Sequence, residues 1–128
     1  MEWTKFWLIG TGGFLGANVR YFLGEWLKAK IGSAIPWQTM IVNVSGAFVI
    51  GFFLALALRE NWNPNWRLFL AVGVLGGYTT YSTFAVEGLD LLSNKLYGWG
   101  LFYILGSAVF TVLAAWIGRA VGRAFVGT

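Results

Sequence analysis

Polar side chains inside long apolar stretches are the residues of this chain with the chemistry to bind a ligand. Asn43 lies in the middle of one stretch, with Thr39 one helical turn before it. In another stretch, Tyr103, Ser107 and Thr111 recur every four residues as one polar stripe. Hydrocarbon satisfies neither donors nor acceptors, so these groups must face protein or water. Asn43 fits either a hydrogen bond between helices or a polar path. Three hydroxyls on one face favour the wall of a water-filled path over separate hydrogen bonds to the backbone.

A second polar run occupies residues 73–84, in the middle of a third apolar stretch. It combines two adjacent glycines with four closely spaced hydroxyl residues: Gly76, Gly77, Thr79, Thr80, Ser82 and Thr83. Glycine and β-branched or hydroxyl residues make this run a poor helix. Backbone groups freed at membrane depth survive only inside protein or along a cavity, where they supply carbonyls to cations and N–H groups to anions. We predict a functional helix break near residues 76–81, with a kink stabilised by hydroxyl–backbone bonds as the alternative.

The groups that are missing narrow the chemistry. The chain has no cysteine and no histidine, which excludes disulfides, thiol catalysis, most zinc sites and an imidazole proton shuttle. No carboxylate lies in the middle of an apolar stretch, whereas a proton-coupled antiporter usually requires one. The remaining donors are hydroxyls, one amide, backbone N–H groups and the positive edges of aromatic rings. This set suits a small anion that is desolvated without a full countercharge.

The composition requires a membrane to position these groups. Of 128 residues, 58% are hydrophobic and 11% are charged, and the mean hydropathy is +0.68, far outside the range of soluble domains. A spanning helix needs about 20 apolar residues, and we predict one all-α transmembrane domain with four spans, at about residues 6–27, 37–58, 68–92 and 96–118. No soluble catalytic domain fits in the remainder, so we expect an integral membrane protein that is not an enzyme.

Charged residues lie near the ends of the predicted spans. The net charge of +4 is scattered, which argues against nucleic-acid binding and favours anchoring at the bilayer surface. One side of the membrane holds five of the nine basic residues and the other side four: Lys5, Arg59, Arg67, Arg119 and Arg123, against Arg20, Lys28, Lys30 and Lys95. This balance permits insertion in both orientations, with a single, weakly biased orientation as the alternative.

Several residues at the span ends and on helix faces have simple structural interpretations. The first stretch is longer than the apolar core of a signal peptide and carries Arg20 and Glu25, so we interpret it as a retained span. Arg20 fits snorkelling to the interface, and Glu87 and Asp90 fit interfacial positions. Three glycine pairs are spaced four apart, as in close helix packing: Gly12 and Gly16, Gly73 and Gly77, and Gly118 and Gly122.

Three motifs carry a resemblance to a known family. They are Gly13–Gly16 with Arg20 and Tyr21, then Thr39–Gly46, then Gly76–Phe84. Together they resemble the CrcB/Fluc family of fluoride channels over essentially the whole chain. The resemblance implies an antiparallel, dual-topology homodimer of four-helix subunits, with the third helix broken, in a bacterial inner membrane. Such a dimer exports fluoride passively through two pores, which agrees with the near-even charges on the two sides.

The resemblance also assigns roles to individual residues. It implies a structural Na⁺ at the dimer centre, held by the backbone carbonyls of Gly76 and Thr79, and no organic cofactor. Pore residues implied by the family are Asn43, the stacked pair Tyr81 and Phe84, and the hydroxyl track Tyr103, Ser107 and Thr111. Less specific matches place Arg20 in a vestibule and Thr39, Thr80, Ser82 and Thr83 along the pore, with Glu87 the least specific. The family usually has phenylalanine where this chain has Tyr81, and the phenol adds a donor, an acceptor and bulk; we expect the pore still to conduct.

Two other functions remain open at this point. A small multidrug-resistance-type exporter also has four short spans and often inserts in both orientations. It requires a membrane-embedded glutamate in its first span, and Glu25 lies too close to Lys28 to serve. A subunit that only assembles, through its glycine faces, predicts that Asn43 and Phe84 tolerate aliphatic replacements. The run at residues 76–84 together with Asn43 favours the channel.

Overall fold

The computed structural model describes residues 2–127, and this part of the chain is helical, with no strand. Its elements are α1 (Trp3–Ile31), α2 (Trp37–Arg59), α3 (Pro64–Arg67), the π-helix π1 (Leu68–Leu75), α4 (Gly76–Tyr78), α5 (Tyr81–Ser93) and α6 (Tyr97–Phe125). Elements α3, π1, α4 and α5 follow one another along Pro64–Ser93, which we call the third rod. With α1, α2 and α6, the described residues form four helical rods. The all-α fold class expected from the sequence is confirmed.

Three of the four rods are long and apolar enough to cross a membrane. They are Trp37–Arg59, Pro64–Ser93 and Tyr97–Phe125, with mean hydropathies of 2.3, 1.3 and 2.0 over their most apolar 18 residues. The first rod, α1, is 29 residues long but is not among them, because its glycines together with Asn18 and Arg20 dilute its apolar residues. A fourth span in α1 therefore stays a prediction.

The turns between the rods are short and use residues suited to them. Gly32 ends α1 in the left-handed conformation, with φ 57°, and its N–H bonds the carbonyl of Lys28. A residue without Cβ adopts this conformation at little cost. The side chain of Asn63 accepts the N–H of Asn65 at the start of α3, where Pro64 occupies the first turn and loses no hydrogen bond. Consecutive rods contact one another, but the most extensive contacts join α1 to the third rod and α2 to α6.

Glycines bring α1 against the third rod at backbone distance. A Cβ added at Gly16 would overlap the carbonyl oxygen of Val74 and lie 2.8 Å from the amide nitrogen of Tyr78. At Gly77, an added Cβ would lie 2.7 Å from the carbonyl oxygen of Gly13. Small residues at this spacing let two backbones touch, which is how helices associate where lipid supplies no hydrophobic drive between them.

A second glycine contact joins α2 and α6. An added Cβ at Gly118 would overlap the carbonyl oxygen of Phe48, and one at Gly122 would lie 2.7 Å from the carbonyl oxygen of Phe52. The two contacts are one turn apart on both helices, so α2 and α6 stay close along this length. The glycine pairs seen in the sequence thus serve packing between rods.

The third rod leaves helical geometry in its middle. Element α4 ends at Tyr78 and α5 begins at Tyr81. Between them, Thr79 (φ −82°, ψ 155°) and Thr80 (φ −146°, ψ 123°) are extended. The N–H of Thr79 keeps its bond to the carbonyl of Leu75, at 3.0 Å, whereas the N–H and carbonyl of Thr80 must find partners outside the helix.

Replacing Gly16 with alanine tests the close contact between α1 and the third rod. We expect Gly16→Ala to destabilise the protein by about 1–3 kcal/mol, because the added methyl group has no space, and to lower its melting temperature in detergent. The matched control is Gly10→Ala on the same helix, where an added Cβ meets nothing within 4 Å. It gains helix propensity of about 1 kcal/mol, and equal melting temperatures for the two variants would contradict the packing described.

Candidate anion path

Asn43 supplies partners for the extended backbone between α4 and α5. Its side-chain carbonyl accepts the N–H of Thr80 at 2.8 Å, and its amide nitrogen donates to the carbonyl of Thr80 at 2.9 Å. Both polar backbone groups of one residue are thereby satisfied by one side chain on α2. An unpaired buried polar group costs about 1–3 kcal/mol. The two hydrogen bonds from Asn43 therefore stabilise an extended backbone whose polar groups have no partner within a helix.

Thr80 also begins α5. Its hydroxyl accepts the N–H of Thr83 at 3.3 Å, which caps the helix, and donates to the hydroxyl of Thr83 at 3.1 Å. The hydroxyl of Ser82 lies 3.4 Å away. Three of the four hydroxyls in this run therefore cluster around the first turn of α5, whereas the hydroxyl of Thr79 donates to the carbonyl of Leu75 at 2.9 Å.

Two carbonyls at the break lose the donors that a continuous helix would give them. In an α-helix, the carbonyl of residue i accepts the N–H of residue i+4. The N–H that would reach Gly76 belongs to Thr80 and is bonded to Asn43, and the N–H that would reach Thr79 belongs to Thr83 and is bonded to Thr80. Among residues 2–127, no group of three or more His, Cys, Asp or Glu side chains is placed to hold a metal ion.

Glu87 connects three rods through its carboxylate. The hydroxyl of Thr39 on α2 donates to one oxygen at 2.8 Å, and the phenol of Tyr103 on α6 donates to the other at 2.7 Å. Both donors are buried, with 6% and 0% of their surface exposed. The interpretation of Glu87 as merely interfacial is therefore wrong. The resemblance gave Glu87 only as its least specific match, and the signal that supports it is its spacing on one face of α5, one turn after Thr83 and two turns after Thr80.

Three aromatic rings form a row beside this carboxylate. The ring centroids of Tyr81 and Phe84 are 5.5 Å apart, and those of Phe84 and Tyr103 are 5.4 Å apart, with interplanar angles of 39° and 37°. Tyr103 is fully buried, whereas Tyr81 is 82% exposed. The row therefore runs from the packed core to the open surface of the single chain.

A cavity of about 450 Å³ lies at the break, between α2, the third rod and α6. Its polar lining comes from six residues: Asn43, Thr79, Thr80, Tyr81, Ser107 and Thr111. The rest of its lining is apolar or glycine, with Gly76 and Phe84 among it, and no charged side chain of the described residues contributes. The site is therefore a neutral chamber with hydroxyl, amide and aromatic groups on its wall.

The polar stripe on α6 divides into three different environments. The hydroxyl of Thr111 donates to the carbonyl of Ser107 one turn back, at 2.7 Å. The hydroxyl of Ser107, on a side chain that is 4% exposed, has no hydrogen-bond partner within the described residues. The phenol of Tyr103 is bonded to Glu87, and Tyr103 does not line the chamber. Of the three, Ser107 alone has a buried hydroxyl without a hydrogen-bond partner among the described residues.

A second, smaller cavity of about 160 Å³ is charged. Its lining includes Arg20, Lys28, Glu25 and Glu87, together with Thr39, Thr80 and Thr83. Thr80 lines both cavities, so the backbone held by Asn43 stands where they meet. Ser82 lines neither cavity.

Arg20 is tied to the third rod. Its Nε donates to the carbonyl of Gly77 at 3.0 Å, so the expectation that it simply snorkels to the interface is wrong. The contact joins α1 to the last turn before the extended residues. Arg20 also lines the charged cavity.

Comparison with known proteins identifies the family. The sequence model described as "CrcB-like protein, Camphor Resistance (CrcB)" matches residues 7–119. The chain belongs to the CrcB-like family. The resemblance found in the three sequence motifs is confirmed.

Relatives of this CrcB-like chain cover almost its whole length. A protein of Thermus thermophilus is 43% identical over 123 residues, which are 96% of this chain and 97% of the relative. One of Rhizobium meliloti is 42% identical over 120 residues, 93% and 96% of the two chains. Both are named fluoride-specific ion channel FluC. Members of this family are ion channels and not enzymes, and with its apolar spans the chain is an integral membrane protein, as expected.

Removing the Asn43 amide tests its role at the break. We expect Asn43→Leu to lower stability by about 2 kcal/mol or more, because the N–H and carbonyl of Thr80 lose their partner. The matched control is Asn18→Leu, since Asn18 is exposed and bonds only the carbonyl of Phe14 in its own helix, at 2.7 Å. Thermal unfolding in detergent measures both variants. The assignment is wrong if Asn43→Leu melts at the temperature of Asn18→Leu.

Proposed function

We propose that the chain is a passive, fluoride-selective ion channel that exports fluoride. The observation that carries this proposal is the 450 Å³ chamber, where the described residues offer hydroxyl, amide and aromatic groups and no charged side chain. Relatives that match more than nine-tenths of the chain are named fluoride-specific ion channels. The names of these relatives support fluoride as the ion, and the chamber supports a conduction mechanism.

The chamber suits an anion that must enter and leave quickly. An anion that sheds water needs donors, and the free hydroxyl of Ser107 can supply one. The ring edges of Phe84 and Tyr81 supply partial positive charge without a formal charge. Conduction requires binding strong enough for entry and weak enough for release, which partial charges satisfy better than a buried cation.

Asn43 contributes in two ways to this path. One amide proton and the side-chain carbonyl hold Thr80, so the side chain fixes the shape of the chamber. An asparagine amide carries two protons, and the second is available to an ion because Asn43 lines the chamber.

The charged cavity suits a vestibule for this path. Arg20 and Lys28 attract anions toward the protein, beside the carboxylates of Glu25 and Glu87. Hydrogen bonds from the hydroxyls of Thr39 and Tyr103 hold the Glu87 carboxylate in place without neutralising its charge. In this proposal, Thr39, Thr83 and Arg20 lie on the approach, and Thr80 lies at the entrance to the chamber.

The working form we propose is an antiparallel, dual-topology homodimer with α1 as its fourth span. Tyr81 lines the chamber yet is 82% exposed in the single chain, and a second subunit would cover it. The near-even distribution of Lys and Arg on the two sides of the membrane permits both orientations. Two subunits give two chambers and hence two pores.

A structural Na⁺ at the dimer centre fits the backbone of the third rod. Hard cations bind oxygen donors, and unwound helices supply carbonyls to Na⁺. Gly76 and Thr79 are among the residues whose carbonyls lose their helical donors at the break. When bound, the cation would offset these carbonyl dipoles, and the same two residues of the second subunit would complete four oxygen ligands.

Passive conduction needs no fuel. A membrane potential that is negative inside drives an anion outward with about 2.3 kcal/mol per charge per 100 mV. Within residues 2–127, no carboxylate lines the chamber to couple transport to protons. Export across a bacterial inner membrane would therefore follow the potential alone.

Efflux from proteoliposomes tests this function. Vesicles are loaded with fluoride or chloride, and a K⁺ gradient with valinomycin carries the countercharge. We expect rapid fluoride release without chloride release, and at least a tenfold slower release for Phe84→Ile, because about 1.4 kcal/mol of lost anion stabilisation gives one factor of ten. The matched control is Phe125→Ile, since Phe125 packs on Phe52 and lines neither cavity.

Other outcomes would identify another function. Proton-coupled uptake of a cationic dye, without fluoride release, would favour the multidrug-type exporter. Normal fluoride release by Phe84→Ile would show that the ring of Phe84 does not contribute to conduction. A silent native protein that conducts only after Tyr81→Phe would overturn the expectation that the phenol is tolerated.

A further inference from the structure

Three arginines converge on one cavity at the ends of α2 and α6. The cavity measures about 500 Å³ and is lined by Arg59, Arg119 and Arg123 with Leu54, Ala55 and Leu58. Arg59 is the last residue of α2, and the other two arginines are one turn apart near the end of α6. None of them lines the chamber or the vestibule, so this cavity is separate from the proposed fluoride path.

The positive charge of this cavity is not compensated within the described chain. The one ion pair found among residues 2–127 joins Lys5 and Glu2, and no acidic side chain from this range lines the cavity. The carboxyl ends of two helices supply about half a negative charge each. Three guanidinium groups therefore leave a surplus of about two positive charges, more than stabilisation of helix ends accounts for.

The floor and surroundings of the cavity are those of a membrane boundary. Leu54, Ala55 and Leu58 give it an apolar wall on α2. At the same end of the bundle, Phe53 and Trp62 pack with ring centroids 6.1 Å apart. Aromatic residues of this kind mark the level of lipid headgroups.

The helix contacts hold the arginines in this arrangement. Gly122 lies against the backbone of Phe52, where an added Cβ would be 2.7 Å from the carbonyl oxygen. Phe125 packs edge-on against Phe52, with centroids 5.6 Å apart. Because Arg123 lies between these two positions on α6, its backbone is fixed close to α2.

We propose that this cavity binds one anionic phospholipid. The phosphodiester lies among Arg59, Arg119 and Arg123, and an acyl chain lies along Leu54 and Leu58. Guanidinium groups bind phosphate oxygens in a planar, two-point geometry, and basic pockets between membrane helices bind anionic headgroups. The apolar wall favours a lipid over free phosphate, since phosphate has no group to place there.

Native mass spectrometry of the purified protein tests this site. The probes are phosphatidylglycerol and phosphatidylcholine with identical chains, added to detergent micelles. We expect preferential binding of phosphatidylglycerol, about fivefold weaker for either Arg119→Gln or Arg123→Gln, and weaker again for the double variant. The matched control is Arg67→Gln, an exposed arginine at the end of α3 that does not line the cavity; it should keep the affinity of the native protein.

Each alternative result would overturn the proposal. Equal binding of the two lipids would show that the arginines do not select the phosphate charge. Equal losses for Arg67→Gln and Arg123→Gln would reduce the effect to net charge. Displacement of phosphatidylglycerol by millimolar inorganic phosphate would identify free phosphate as the occupant. Circular dichroism checks that each variant is folded. If either Arg119→Gln or Arg123→Gln fails to fold, the other still tests the site.

Discussion

The structure depends on one constraint: a polar backbone group in the middle of a membrane must have a partner. The third rod leaves helical geometry at Thr79 and Thr80, and Asn43 pairs with both backbone groups of Thr80. This requirement fixes α2 beside the third rod at that depth. The glycine contacts between α1 and the third rod support the other side of the same segment. The chamber lies beside a backbone that these contacts hold in an extended conformation.

The geometry of α5 keeps the charged carboxylate of Glu87 away from this chamber. Thr80, at its start, lines both cavities, whereas Glu87, two turns on, faces the vestibule and is held by Thr39 and Tyr103. The described residues give the chamber itself only neutral donors. A formal charge near a bound anion would either repel it or hold it too firmly, since pair energies rise steeply as the dielectric constant falls. In the channel that we propose, a neutral chamber behind a charged vestibule would allow both attraction and release.

Much of this arrangement follows from the sequence, but the partners of individual groups do not. Asn43 and the hydroxyl-rich run were identifiable because polar residues in apolar stretches are few. The partners of Glu87 and Arg20 depend on how helices cross, which spacing along one helix does not determine. For the same reason, the single stripe of Tyr103, Ser107 and Thr111 proved to have three different environments. The span predicted for α1 is the least apolar, because glycines that serve packing replace larger side chains.

The reversal potential in a planar bilayer tests passive fluoride conduction most directly. A tenfold fluoride gradient is imposed with equal chloride on both sides, and a pH gradient is then added. A passive, selective channel predicts a reversal potential of about 59 mV, the value for one charge and a tenfold gradient. This potential should not change when the pH differs across the membrane. Reversal near zero would contradict fluoride selectivity. A reversal potential that shifts with the pH gradient would contradict passive conduction and indicate coupling to protons.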